Sequence, residues 1–254
     1  MTRSLPTRRC PHCGRELKPL TLPASVLAPR SDGKERDPVV LGFEPCDCPG
    51  AERERADAAR AEEERIAAEE RAKRKRAYER AGIKPRFMEA ESPVAATILE
   101  SARDGRGTYI FGPVGTGKTH MASAVARMAI DAGMRVRVTD MPDIAVRIKD
   151  TFKTKDGEGA VLSSLSRCDL LVVDDLGKEV PTPWTLMQVF RILNDRYETM
   201  KPVVVTSQYD LKSLGGRLSR NGDIDTALAI VSRLYGMCGK RELAGRDRRV
   251  HGQG

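Results

Sequence analysis

The segment Gly112-Pro113-Val114-Gly115-Thr116-Gly117-Lys118-Thr119 sets glycines, a lysine and a threonine at the spacing G-x-x-x-x-G-K-T, directly after the apolar run Thr108-Tyr109-Ile110-Phe111. Glycines at that spacing let the backbone wrap a polyphosphate and aim its N–H groups at the oxygens. Lys118 brings a point charge to the β- and γ-phosphates, and the Thr119 hydroxyl is placed to ligate Mg²⁺. A helix opening at Lys118 adds the positive end of its dipole. A second group, Leu170-Leu171-Val172-Val173-Asp174-Asp175, is an apolar run ending in two acids, the way a buried parallel strand delivers carboxylates to a site. Asp174 would hold the Mg²⁺ through water. Asp175 would orient or deprotonate an attacking water, with a helix-cap or turn role as its alternative.

A third group is built from sulfur. Four of the six cysteines form two pairs near the start of the chain, Cys10/Cys13 and Cys46/Cys48, each in Pro/Gly turn chemistry. The first pair has the two-residue spacing of a zinc knuckle, and the four together predict a tetrahedral Zn²⁺ site, with His12 as a substitute ligand. The competing reading is a basic tail with idle thiols. Cys168 and Cys238 lack ligand spacing and are expected simply to be packed.

These groups need elements to hold them, and composition divides the chain into three parts. Residues 1–50 are rich in Pro, Gly and Cys and too sparse in apolar periodicity to fold without metal. Residues 51–86 are dominated by Ala, Glu, Arg and Lys, which predicts a helix ending at Gly82 that serves as a solvated spacer or docking helix. Its cluster Arg71-Ala72-Lys73-Arg74-Lys75-Arg76 is either a solvated face or a nucleic-acid contact. Residues 87–254 alternate strand and helix patterns. Strands are expected at Tyr109–Phe111, Val136–Thr139, Leu170–Asp174 and Val203–Thr206, with an edge strand near Lys240–Leu243. Helices are expected over Lys118–Ala132, Pro142–Phe152, Pro183–Tyr197, Leu211–Leu218 and Thr226–Tyr235. That alternation predicts an α/β fold with a parallel, doubly wound sheet flanked by helices. The net charge of +8 suits a polyanionic partner, nucleic acid or an acidic protein surface. No run approaches eighteen apolar residues and the opening residues lack a signal-peptide core, so a cytoplasmic protein without membrane contact is expected.

Beyond the phosphate loop, Pro202-Val203-Val204-Val205-Thr206-Ser207-Gln208 resembles the sensor-1 strand of AAA+ ATPases, and Ser232-Arg233-Leu234 resembles their arginine-finger region. Together with Ala81-Gly82-Ile83-Lys84-Pro85-Arg86-Phe87, Asp143–Phe152 and Asp169–Gly177, the chain from about residue 81 to 250 is similar to the DnaC/DnaI family of bacterial and phage helicase loaders. The resemblance implies a P-loop AAA+ ATPase that binds ATP and Mg²⁺. It also implies docking on the hexameric replicative helicase through a zinc-bearing N-terminal domain and placement of that helicase on single-stranded DNA. Carried over by residue, Asp174 and Asp175 are the Walker B pair, Gln208 is sensor 1, and Arg233 reaches the nucleotide of a neighbouring subunit, which requires self-assembly. Single-strand contacts fall on Lys149, Phe152 and Trp184, where an aromatic can stack on a base and lysine can neutralise phosphate; a core role is the alternative for Phe152.

Two departures bear on activity. Gln208 stands where the family usually has Asn, and Asp175 where Glu is common, so slow hydrolysis and a switch rather than a motor are expected. Arg248 is the candidate for sensor 2. An IstB-like transposition helper shares nearly all these motifs, and a nucleotide-gated zinc adaptor without turnover is a third reading.

Overall fold

The computed structural model describes residues 6–22, 39–151, 157–221, 223–245 and 247. The chain divides into two units, Met1–Arg71 and Ala72–Gly254.

In the first unit the turn-rich cysteine segments close two small antiparallel pairs. Strands β1 (Arg8–Arg9) and β2 (Glu16–Leu17) form one, and β3 (Pro19–Leu22) and β4 (Val39–Phe43) the other. Helix α1 (Pro49–Ala81) begins here, and its Glu62, Arg65 and Glu69 pair along one face at 2.6 Å. With almost no large apolar side chains this stretch has a solvated surface, and such exposed, screened pairs add little stability.

In the second unit, five parallel strands stand in the order β6-β7-β8-β5-β9. They are β5 (Gly107–Phe111), β6 (Val136–Asp140), β7 (Leu170–Asp174), β8 (Val203–Ser207) and β9 (Cys238–Glu242). The inner strands β5, β7 and β8 bury both faces, and the period-2 rule sorts their residues: Leu171, Val173, Val203 and Val205 face one core cluster, Leu170, Val172 and Val204 the other. Helices α2 (Ala95–Arg103) and α3 (Lys118–Asp131) cover the second face. The first face carries α4 (Met141–Thr151), α5 (Gly157–Arg167), α6 (Pro183–Glu198), α7 (Leu211–Leu218) and α8 (Ile224–Met237). The parallel, doubly wound sheet and the edge strand agree with the sequence reading. Helices α2 and α5 are additions to the sequence reading, although α2 sets Ala95, Ile98, Leu99 and Ala102 at helical spacing and buries them, and Phe152 and Arg248 lie outside the described residues.

The last turn of α1 belongs to this core. Tyr78 and Ala81 are buried, the Tyr78 hydroxyl donates to both Asp131 oxygens at 2.8 Å, and the Arg127 guanidinium lies over the Tyr78 ring. Gly82 ends the helix at φ 97°, where a Cβ would overlap the Val138 carbonyl oxygen. Two tight helix starts fix the other face: Thr182 and Asp210 each accept a backbone N–H three residues on, the capping pattern of these residue types. Arg196, fully buried, donates to the carbonyls of Leu165, Ser166 and Cys168 at 3.0–3.1 Å and to that of Pro202 at 2.5 Å, tying the end of α5 to the start of β8. Cys168 and Cys238 are buried, as expected. No described helix is long and apolar enough to cross a membrane.

Candidate functional site

The segment Gly112–Thr119 links the carboxyl end of β5 to the first turn of α3. Gly112, Gly115 and Gly117 have φ of 146°, 79° and 96°, a region L side chains rarely adopt, and a Cβ at Gly112 would overlap the Leu243 carbonyl oxygen. Pro113, Val114 and Thr116 complete the curve, with Thr116 Oγ1 donating to the Pro113 carbonyl at 3.0 Å. Lys118 is buried and its Nζ donates to the Gly112 and Pro113 carbonyls at 2.8 and 2.6 Å, which aims the ammonium into the concavity. The Asp247 carboxylate lies against Gly115, where an added Cβ would overlap it.

The acids arrive on β7. Thr119 Oγ1 donates to Asp174 Oδ1 at 3.0 Å, so the lysine's neighbour and the strand's terminal carboxylate share one locus. Thr206, on β8, donates to the same Oδ1 at 2.6 Å and accepts the Asp175 amide at 2.8 Å. Burial raises the Asp174 pKa, against the lowering effect of the Thr206 and Thr119 hydroxyls, and the nearby Asp175 carboxylate adds to the rise. A buried carboxylate held by two hydroxyls, with a charge it pays to compensate, fits a divalent cation. Asp175 takes the left-handed conformation, φ 56°, and its carboxylate reaches Lys178 Nζ at 3.7 Å. Asp175 and Gln208 both line a cavity of about 420 Å³ with Lys118, Thr119, Arg86 and Phe87. The sequence reading singled out neither Thr206 nor the pair Arg86/Phe87 as site residues. Thr206 lies two residues before Gln208, the position that drew attention, and Arg86/Phe87 reach the cavity only through the 3₁₀ turn Pro85–Phe87.

Arg233 does not line that cavity. From α8 its Nε donates to Asn194 Oδ1 at 2.8 Å and its guanidinium lies 4.8 Å over the Tyr197 ring, both on α6. Lys149 on α4 and Trp184 on α6, read separately from the sequence, are brought together: the ammonium stands 5.7 Å from the indole centroid. Trp184 is half-buried against the core, so one part of the ring packs while Lys149 remains exposed.

In the first unit all four sulfurs of Cys10, Cys13, Cys46 and Cys48 lie within 4.8 Å of one another, with Cys10–Cys48 at 3.8 Å and Cys13–Cys46 at 3.5 Å. A tetrahedron with Zn–S bonds of about 2.3 Å has edges of about 3.8 Å, so the thiol set fits Zn²⁺. The His12 amide is the main influence holding the Cys10 thiol down to about 6. His12 itself pairs through Nε2 with Glu54 at 2.8 Å, which makes it a neighbour of the cluster rather than one of the four converging groups.

The family model described as IstB-like ATP binding protein matches residues 96–253. The replicative helicase loader DnaC of Escherichia coli is 29% identical over 181 residues, which are 63% of this chain and 73% of that protein. An insertion sequence ATP-binding protein of Sinorhizobium fredii is 29% identical over 104 residues, 41% of this chain and 35% of that one. A crystal structure of the DnaC helicase loader superimposes with a TM-score of 0.51 at 23% identity, over 63% of this chain and 100% of that structure, a likeness of fold.

Proposed function

The chain belongs to the IstB-like ATP binding protein family, and within it we propose that the protein is an ATP-dependent loader that places a replicative helicase hexamer on single-stranded DNA. The observation that carries this reading is the four-cysteine cluster ahead of the charged helix and the nucleotide unit: a metal-stapled appendage suits docking on a protein partner. Similarity to a helicase loader over 73% of that relative's length supports it. In this reading residues 1–50 dock, 51–86 link and 87–254 bind nucleotide.

Binding of ATP would exchange the Lys118 bonds to Gly112 and Pro113 for phosphate oxygens, with loop amides completing the cradle. Thr119 and Asp174 would hold Mg²⁺, which supplies charge neutralisation between the β- and γ-phosphates. Asp175 would release Lys178 and align the attacking water, and Gln208 would sense the γ-phosphate from the β8 tip. The short Asp175 side chain favours slow, partner-stimulated hydrolysis. Arg233 would leave Asn194 and Tyr197 to reach a neighbour's nucleotide, so catalysis is tied to self-assembly. Lys149 and Trp184, with Phe152, would contact single-stranded DNA by phosphate neutralisation and stacking. Zn²⁺ on Cys10, Cys13, Cys46 and Cys48 would be structural, since the four thiolates leave no open position.

The test is light scattering on a sizing column of this protein mixed with its host's replicative helicase, ATP and Mg²⁺, for wild type and Cys10→Ser. The expected result is a wild-type complex that the variant loses; no complex with either overturns the loader assignment. A second reading, a transposition helper, is favoured by the insertion-sequence relative and would show as a complex with a transposase instead. A non-hydrolysing adaptor is a third reading, and it predicts no ATPase rate for Asp175→Asn to remove.

A further inference from the structure

The parallel sheet places the nucleotide residues at its carboxyl edge, and a different chemistry gathers at the opposite edge. There Arg80 on the last turn of α1, Arg135 and Arg137 at the start of β6, and Arg167 at the end of α5 rim a groove of about 690 Å³, with Ser163 and Ser164 on its wall. Lys201 stands beside the groove, its Nζ donating to the Arg167 carbonyl at 2.9 Å. Against these five cations stands Asp169, paired with Arg135 at 2.7 Å. Among the described residues Arg80, Arg137, Arg167 and Lys201 form no ion pair, and the Arg80 and Arg167 guanidinium groups form no hydrogen bond. Arg137 spends two of its five donors, on the Arg80 carbonyl at 3.2 Å and on Ser164 Oγ at 3.4 Å.

Such a cluster is self-repelling unless an anion completes it, and three features say which anion. Arginine predominates, the side chain whose fork fits phosphate oxygens in pairs, and serine hydroxyls add neutral donors of the kind that contact nucleic-acid backbones. The positive row continues past the groove: Lys73, Arg76 and Arg80 follow i, i+3, i+7 on α1, within the second unit, and span about 10 Å at 1.5 Å per residue, the reach of about three phosphates of one strand. No aromatic side chain lines the groove, so it offers no stacking platform for unpaired bases.

We propose that this groove grips the phosphodiester backbone of duplex DNA, independently of sequence and separately from the Lys149/Trp184 pair. A protein that handles single strand at one face would thereby hold the adjoining duplex at another.

The experiment is fluorescence anisotropy of the full chain on a labelled duplex of about 20 base pairs and on a dT single strand of matching length, over a series of NaCl concentrations. Arg80→Gln/Arg167→Gln is compared with wild type and with Arg80→Lys/Arg167→Lys. Losing two phosphate contacts should weaken duplex binding about tenfold or more and reduce the slope of log K against log salt by about 1.8, with dT binding unchanged and the lysine pair, which keeps the charge, retaining the wild-type slope. Equal melting temperatures for the three proteins exclude unfolding as the cause. Unchanged duplex affinity and slope would overturn the proposal, and if helicase binding fell instead, the groove would belong to an acidic protein surface. A loss confined to dT would overturn the duplex assignment.

Discussion

Thr206 Oγ1 donates to Asp174 Oδ1 at 2.6 Å across two adjacent parallel strands, and this bond fixes where the carboxylate at the tip of β7 can point. The same hydroxyl accepts the Asp175 amide, so one threonine sets the first acid's rotamer and the second acid's backbone. Thr206→Val keeps the shape and removes both roles. The expected cost is about 1–3 kcal/mol of stability, from an Asp175 amide left without its acceptor and an Asp174 carboxylate left with the Thr119 hydroxyl alone, together with a loss of ATP hydrolysis exceeding the loss of ATP binding. Urea unfolding and single-turnover hydrolysis check the two halves.

Asp174 has a pH signature. Burial lifts its pKa above the ordinary carboxylate value, so the folded state holds that proton more tightly than the unfolded chain does. Stability from this group is fully present below the unfolded value and is lost as pH rises through the lifted one. Nucleotide-free Asp174→Asn should therefore melt higher at pH 7 than wild type, by about 2–4 °C for each kcal/mol recovered in a chain this size, and the gap should close at acid pH. The same change should abolish Mg²⁺-dependent hydrolysis. A variant that melts lower at neutral pH would refute the burial argument.

The carboxylate of Asp247 lies against Gly115, where phosphate oxygens are expected. An anion in that cradle competes with nucleotide, so Asp247→Ala should bind ATP several-fold more tightly, by the fraction of molecules freed from the competing state. Isothermal titration at low salt measures it; equal affinities would show that the contact does not compete.

For the cysteine cluster, about one zinc per chain is expected by elemental analysis, reduced in Cys10→Ser and in Cys46→Ser alike, because removing any corner of a closed tetrahedral site breaks it. Chelation should unfold the first unit and leave the melting of the second in place.

Arg196→Met should be among the most destabilising single changes in the second unit. It strands the carbonyls of Leu165, Ser166, Cys168 and Pro202 in the core, and a loss of about 3 kcal/mol or more is expected in denaturant. Arg196→Lys should recover little, since a point charge with three donors cannot span carbonyls from two elements.

Much of this molecule was legible in its residues. The glycine-rich loop, the two acids at the end of β7 and just beyond it, the sheet's five strands and the pairing of Cys10/Cys13 with Cys46/Cys48 follow from local rules: glycine where φ is positive, apolar runs where both faces are buried, thiols at turn spacing. Helix α1 was readable from its Ala/Glu/Arg/Lys composition, yet its last turn was not. Tyr78 is a core residue because Asp131 and Arg127, more than forty positions away, enclose it.

What the chain order alone determined is thus the chemistry available and the elements that carry it, because motif spacing and hydrophobic period act over a few residues. Tertiary structure decided which distant groups meet. Thr206 joins Asp174 only once β8 lies beside β7, Lys149 meets Trp184 only once α4 lies beside α6, and the arginines at 80, 135, 137 and 167 make one groove only once three elements end at the same edge. Those meetings are fixed by strand order and helix packing, long-range terms that no local pattern encodes.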